Sequence, residues 1–226
     1  MPTSPRLYVA GAMLLTLLAA SCDEARDEAN EIRGSGQTIT RSREVSGFDE
    51  VVLTGFGDVI VEVTGTESLT IEAEDNILPL LTSEVISGRL ELGARQSAEQ
   101  RLSPTRDVVF RITAAELVGT SVLGSGNVTV SGVEALSFSV SIAGSGNVAP
   151  EGTCASLGVD ISGSGAFDGE NLVARAGTVS VSGSGNAVVN VTDELGVMVS
   201  GSGLVEYLGS PALQESVTGS GVVRPR

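Results

Sequence analysis

The sequence predicts an all-β protein: a parallel β-helix-like solenoid with about 18–20 residues per turn, less regular in its N-terminal half. Two observations carry that expectation. Within residues 119–226 Gly-Ser-Gly occurs six times, starting at Gly124, Gly144, Gly163, Gly183, Gly201 and Gly219, so successive copies lie 20, 19, 20, 18 and 18 residues apart. A period near 20 is that of a solenoid turn, which cannot bury an apolar face alone and must stack on its neighbours. The second observation is the alternation around each copy. Two residues before the first glycine stand Val122, Ile142, Ile161, Val181, Val199 and Val217, and four before it stand Thr120, Val140, Val159, Val179, Val197 and Glu215. Between them lie Ser121, Ser141, Asp160, Ser180, Met198 and Ser216. That is the period of two expected of a strand buried on one face.

Each repeat therefore reads as strand, Gly-Ser-Gly corner, strand and a looser return. The apolar column resumes after the corner at Val128, Val148, Phe167, Ala187, Val205 and Val223. Glycine lacks a Cβ, so it tolerates positive φ and lets successive turns of backbone approach closely at a bend. Stacking in register places Ser125, Ser145, Ser164, Ser184, Ser202 and Ser220 in one ladder. Asn127, Asn147 and Asn186 form a partial second ladder beside it. Such stacked polar side chains are expected to hydrogen-bond from turn to turn, which gives the ladder a structural role before any binding role. Calcium-loading nonapeptides and phosphate loops are poor matches. The period is too long, no Lys-Ser/Thr follows the glycines, and strands flank the corner on both sides.

The N-terminal half, residues 38–118, also reads as strands: Glu50–Thr54, Asp58–Val63, Leu69–Ala73, Arg89–Leu92 and Asp107–Ile112. Turn residues separate most of them. Gly55-Phe56-Gly57 repeats the corner pattern before an apolar strand, which favours one continuous β structure running into the regular repeats of residues 119–226. Gln96 to Pro104 is polar and reads as an internal loop.

Residues 1–21 resemble a bacterial lipoprotein signal peptide. An apolar run from Leu7 to Ala20 follows Arg6 and is too short to span a bilayer comfortably. It closes in Leu18-Ala19-Ala20-Ser21-Cys22, with small residues ahead of the cysteine. The resemblance implies cleavage after Ser21 and a diacylglycerol on Cys22, although Ala19 stands where such signals usually carry Leu, Val or Ile. Residues 22–37, beginning Cys22-Asp23-Glu24-Ala25-Arg26, read as a flexible acidic tether. The folded part is then expected in the bacterial cell envelope, held to a membrane through the lipid.

Composition narrows the function classes. All 13 basic residues are arginine against 28 acidic ones, and the net charge is −15. No basic stripe is available to neutralise phosphates, so nucleic acid is excluded as a partner. The chain has no His, Lys or Trp, which removes His-based acid/base chemistry, Lys nucleophiles and His metal sites. No cofactor is expected. The remaining catalytic candidates are carboxylates: Asp160, Asp168, Glu170, Asp193 and Glu194. They keep open an alternative in which a β-helix lyase or glycosidase brings acidic groups of adjacent turns onto a sugar. Cys154, with no base nearby in sequence, reads as a small buried residue.

The order of motifs resembles the head GIN domain family of auto-transporter adhesins. The resemblance is carried by Val45-Ser46-Gly47-Phe48-Asp49-Glu50-Val51, Gly55-Phe56-Gly57-Asp58-Val59 and Leu69-Thr70-Ile71-Glu72-Ala73-Glu74-Asp75-Asn76-Ile77-Leu78-Pro79. The Gly-Ser-Gly series follows, and then Gly209-Ser210-Pro211 and Val217-Thr218-Gly219-Ser220-Gly221-Val222-Val223-Arg224. It spans about Thr38 to Arg226, with Phe56 standing where the family usually has serine. The resemblance implies an exported right-handed β-helix-like fold and an adhesin-type role, and the expected partner of such a binding scaffold is an envelope protein or a polysaccharide. It brings no binding residue with it.

Overall fold

The computed structural model describes residues 31–95 and 101–226, so Cys22 and the signal-like segment lie outside the described residues. The chain runs through β1 (Glu31–Arg33), β2 (Thr38–Arg43), β3 (Glu50–Thr54), β4 (Asp58–Val63) and β5 (Ser68–Glu74). A single 3-10 turn at Leu78–Leu80 leads to β6 (Leu81–Ile86), β7 (Arg89–Ala94), β8 (Arg101–Ser103) and β9 (Val109–Ala114). The repeat region supplies β10 (Gly119–Gly124), β11 (Asn127–Gly144), β12 (Asn147–Gly163), β13 (Ala166–Gly183) and β14 (Asn186–Gly201). It ends in β15 (Leu204–Leu208), β16 (Ala212–Gly219) and β17 (Val222–Pro225). The expected parallel β-solenoid is what forms, with about five turns.

Strands β11 to β14 are 16 to 18 residues long. Straight strands of that length would run to about 55 Å at 3.3 Å per residue; these instead bend round a turn and pair in parallel with the next copy. The β-branched column stacks as the sequence predicts, in the register Val122, Ile142, Ile161, Val181, Val199. All five are buried. Each such side chain taken from water contributes about 1.5–3 kcal/mol, so stacking one turn on the next supplies the stability that a lone turn lacks.

The unequal spacing of the repeats is absorbed in one place. Between β13 and β14 the pairing offset is 20 residues at Ala166 and Asn186 but 18 at Ala176 and Glu194, and the register shifts lie between Gly169 and Ala176. Between β11 and β12 the shift falls between Val130 and Val133, and between β12 and β13 it falls between Val148 and Gly152. Length changes thus sit after the corner, on the return side, while the strand leading into each Gly-Ser-Gly keeps its alignment.

The first coil is continuous with this stack. β3 pairs in parallel with β10, and β4 pairs with both β11 and β9. Beyond it the pairing changes sense. β5 runs antiparallel to β2 and β9, and β6 and β7 form an antiparallel hairpin. Ser87 (φ 53°) and Gly88 (φ 82°) turn that hairpin; positive φ at both central residues is the mark of a type I′ turn. The antiparallel elements close the N-terminal end of an aliphatic core that runs without interruption from Phe48 to Val205.

Two expectations need correcting. Residues 22–37 read from sequence as a flexible acidic tether, but within their described part, residues 31–37, β1 pairs in parallel with β8, and the Gly36 N–H donates to Glu74. The loop expected at Gln96 to Pro104 contributes that same β8. Both short strands are secured by Glu74, which is 1% exposed. Its carboxylate accepts hydrogen bonds from the Thr105 hydroxyl (2.5 Å) and from the backbone N–H groups of Gly36 (2.6 Å) and Thr105 (2.8 Å). Chiefly the Thr105 hydroxyl, and then these backbone donors, hold the Glu74 carboxyl below its ordinary value against the opposing effect of burial.

Candidate functional site

The Gly-Ser-Gly corners stack into a ridge along one edge of the solenoid. Backbone bonds hold it together. The N–H of Ser145 donates to Gly124 O (2.9 Å), that of Ser164 to Gly144 O (2.9 Å), and that of Ser184 to Gly163 O (2.9 Å). Glycine is needed on both sides of the serine for a steric reason. Gly144 has φ 128°, and a Cβ on Gly146 would run into the Val122 side chain and Gly126 O.

Ser125, Ser145, Ser164, Ser184, Ser202 and Ser220 are all exposed and stack one per turn. Among the described residues no side-chain hydrogen bond joins one of these hydroxyls to the next, so the inter-turn bonding expected of them is made by their N–H groups instead. The residue type keeps the corner polar, and its hydroxyls face water. The asparagine ladder does form by side chains. Asn147 Nδ2 donates to Asn127 Oδ1 (2.8 Å), and Asn127 Nδ2 donates to Asp58 Oδ1 (2.8 Å). Asn186 stands apart because its neighbours in register are Ala166 and Leu204.

On the sheet leading into the corners, two outward columns run along the solenoid. One contains Ser121, Ser141, Asp160, Ser180 and Met198; the other contains Gly119, Ser139, Gly158, Thr178 and Gly196. Alternation of glycine with hydroxyl residues in the second column lowers the surface between the rows. The result is an open groove of about 630 Å³ lined by Ser139, Gly158, Thr178, Ser141, Asp160 and Ser180. An ion pair between Arg89 Nε and Glu50 Oε2 (3.0 Å) stands at one end and exposed Met198 at the other. A Cβ built on Gly158 meets nothing within 4 Å, so the space above it is open. The signal for this groove in the repeat alignment is the small residue at the fifth position before the first glycine in five of the six copies, which has no apolar period of its own.

The carboxylates proposed for catalysis sit in different settings. Asp160 lies in the groove. Glu170 is paired with Arg226 (2.9 Å) and Asp193 with Arg175 (3.3 Å), while Asp168 and Glu194 are exposed. A hydrogen bond from the Thr192 hydroxyl, and then the Arg175 guanidinium, hold the Asp193 carboxyl below its usual value. Cys154 is buried within β12, and burial pushes its thiol up to about 11, so the reactive thiolate is scarce at neutral pH.

The solenoid thus presents an exposed polar ridge and an adjoining groove, both built by repetition. The chain belongs to the family described as "putative auto-transporter adhesin, head GIN domain", which matches residues 47–211. Among solved structures it is similar to a "putative adhesin" from Bacteroides fragilis, with 24% identity and a TM-score of 0.66 over 86% of this chain and 98% of that one. It is also similar to a "putative lipid binding protein" from Parabacteroides distasonis, with 23% identity and a TM-score of 0.55 over 87% of this chain and 99% of the other. A "putative adhesin" from Parabacteroides merdae aligns at 17% identity with a TM-score of 0.51, covering 87% and 99%. At these identities the likeness establishes the shared fold. Comparison with curated proteins returns no match.

Proposed function

We propose that this chain is an exported, lipid-anchored binding scaffold of the adhesin type, held to a membrane of the bacterial envelope through Cys22, and that it performs no catalysis. The observation that carries the reading is the groove. It is a polar, aligned sheet face with no protein element packed on it among the described residues, and its serine, threonine and aspartate side chains can donate to or accept from an extended partner. Family membership and the names of the structural neighbours support adhesion over enzymology. The anchor is supported by the lipoprotein-like signal, and the partner is an envelope protein or polysaccharide.

Attachment of the full chain to envelope preparations tests the groove. Gly158→Phe fills it without touching the core, because its Cβ points into open space. Attachment should fall while the thermal midpoint is retained; unchanged attachment would refute the groove. Metabolic labelling with a fatty-acid probe tests the anchor separately, since Cys22→Ser should abolish label that the native chain takes up.

A further inference from the structure

The first corner, Gly55-Phe56-Gly57, breaks the pattern of the six that follow, because a phenylalanine occupies the serine position. Its backbone role is the same. Ser125 N–H donates to Gly55 O (2.8 Å) and Asn127 N–H donates to Gly57 O (3.0 Å), matching the bonds between later corners. Phe56 therefore stands at the head of the exposed serine ridge, where its ring is half-buried against the core. It forms one wall of an open pocket of about 760 Å³ that shares no lining residue with the groove.

The polar groups around this ring are held in place. Asp58 lines the same pocket, with Oδ1 fixed by Asn127 Nδ2 (2.8 Å), and Asn127 is fixed in turn by Asn147. The second carboxylate oxygen of Asp58 takes no protein donor among the described residues, so it remains free to accept from a ligand. Arg101 and Arg106 supply donors on other walls, and Glu31 and Asp107 add two more carboxylates. With two cations against three anions, the pocket is mixed and slightly acidic, which disfavours a polyanion. Its volume lies in the range of small-ligand sites.

We propose that this pocket binds a neutral saccharide unit, with the pyranose C–H face against the Phe56 ring and adjacent ring hydroxyls donating to the free oxygen of Asp58. An aromatic wall in the same pocket as a pre-positioned carboxylate suits a sugar, which presents both an apolar face and a rim of paired hydroxyls. It suits neither a purely apolar chain, which would strand the Asp58 and Arg106 polar groups, nor a phosphate, which would meet three carboxylates. This assignment is a second site and goes beyond the groove: Gly158→Phe leaves it intact, and its failure leaves the groove reading standing.

The test is saturation-transfer NMR of the full chain in detergent with maltose, cellobiose and N,N′-diacetylchitobiose, and with polygalacturonate as the acidic control. At least one neutral disaccharide should bind, with transfer from the Phe56 ring protons. Phe56→Ser installs the residue that six other corners carry and so preserves the turn; it should weaken binding at least tenfold with an unchanged far-UV spectrum. Phe56→Tyr should retain it. Absence of binding by all three sugars, equal binding by Phe56→Ser, or preference for polygalacturonate would each overturn the proposal.

Discussion

Asn147 and Asn127, twenty residues apart in sequence, are joined by a side-chain hydrogen bond of 2.8 Å, Nδ2–H to Oδ1, that runs along the solenoid axis from one turn to the next. Because Asn127 in turn bonds Asp58, a surface carboxylate of the first coil is oriented by residues of the second and third. Asn127→Ala cuts the ladder at both bonds. With each exposed bond contributing about 0.5–1.5 kcal/mol, the loss in urea unfolding should be on the order of 1 kcal/mol, and Asn186→Ala, outside the ladder, should cost less.

The aliphatic interior gives a larger effect. Val181 is 1% exposed and sits in register between Ile161 and Val199. Val181→Asp buries an unpaired charge at a cost of several kcal/mol. A lowered thermal midpoint and altered far-UV spectrum are expected; an unchanged protein would contradict the interior placement.

At the corners, serine and glycine should respond in opposite ways. The Ser164 hydroxyl is exposed and makes no bond to its ladder neighbours, so Ser164→Ala should change stability by less than about 0.5 kcal/mol. Gly163 has φ 127°, and a Cβ there would press on Gly144 O. Gly163→Val should therefore cost about 1–3 kcal/mol in backbone strain together with the cost of that clash. Parallel melts of the two variants check the contrast.

Glu74 sets an acid limit on the N-terminal segment. Its carboxyl is depressed below the ordinary value of 4.5 in the folded chain, so its contribution is fully present above that value and is lost as the pH falls through the folded pKa. The protection of the Gly36 and Thr105 amides, taken relative to the intrinsic exchange rate at each pH, should fall in acid and hold at neutral pH. Glu74→Gln places an amide donor against backbone donors, so protection should already be weak at pH 7 and change little on acidification.

Much of this was legible because a repeat makes the sequence compare itself. The strands at Glu50–Thr54 and Asp58–Val63 carry their expected bounds, and the buried columns follow from alternation alone. β1 and β8 were not legible. Each has three residues, shows no apolar period, and owes its place to Glu74, whose partners lie 31 to 38 residues away. β6 was missed for a related reason: Thr82, Ser83 and Glu84 pair with β7 through backbone groups that any residue provides. Spacing places the serine ladder but shows only which residues stack, not which of their atoms bond.

The last coil carries a built-in block. β16 pairs with β14 on one side, and its other edge is unpaired among the described residues, with Val217 40% exposed. Glu215 occupies the column that holds Val197 in the turn before. An inward-pointing charge on an edge strand discourages pairing with another chain. Glu215→Val should promote end-to-end self-association, visible as a concentration-dependent rise in mass by sedimentation.

Confining every length change to the return side makes the groove-bearing sheet a ruler. Its rows recur at the spacing of hydrogen-bonded strands, about 4.8 Å, with nearly the same small side chains at each graduation. A linear partner with a matching repeat, lying along the axis, meets first-column hydroxyls at Ser121, Ser141 and Ser180 and second-column hydroxyls at every other row, Ser139 and Thr178, so the plain rows assign it no unique position. Asp160 and Met198 are the two marks that differ from their row-mates, one charged and one apolar, set two turns apart, and they give the scale an origin and a direction.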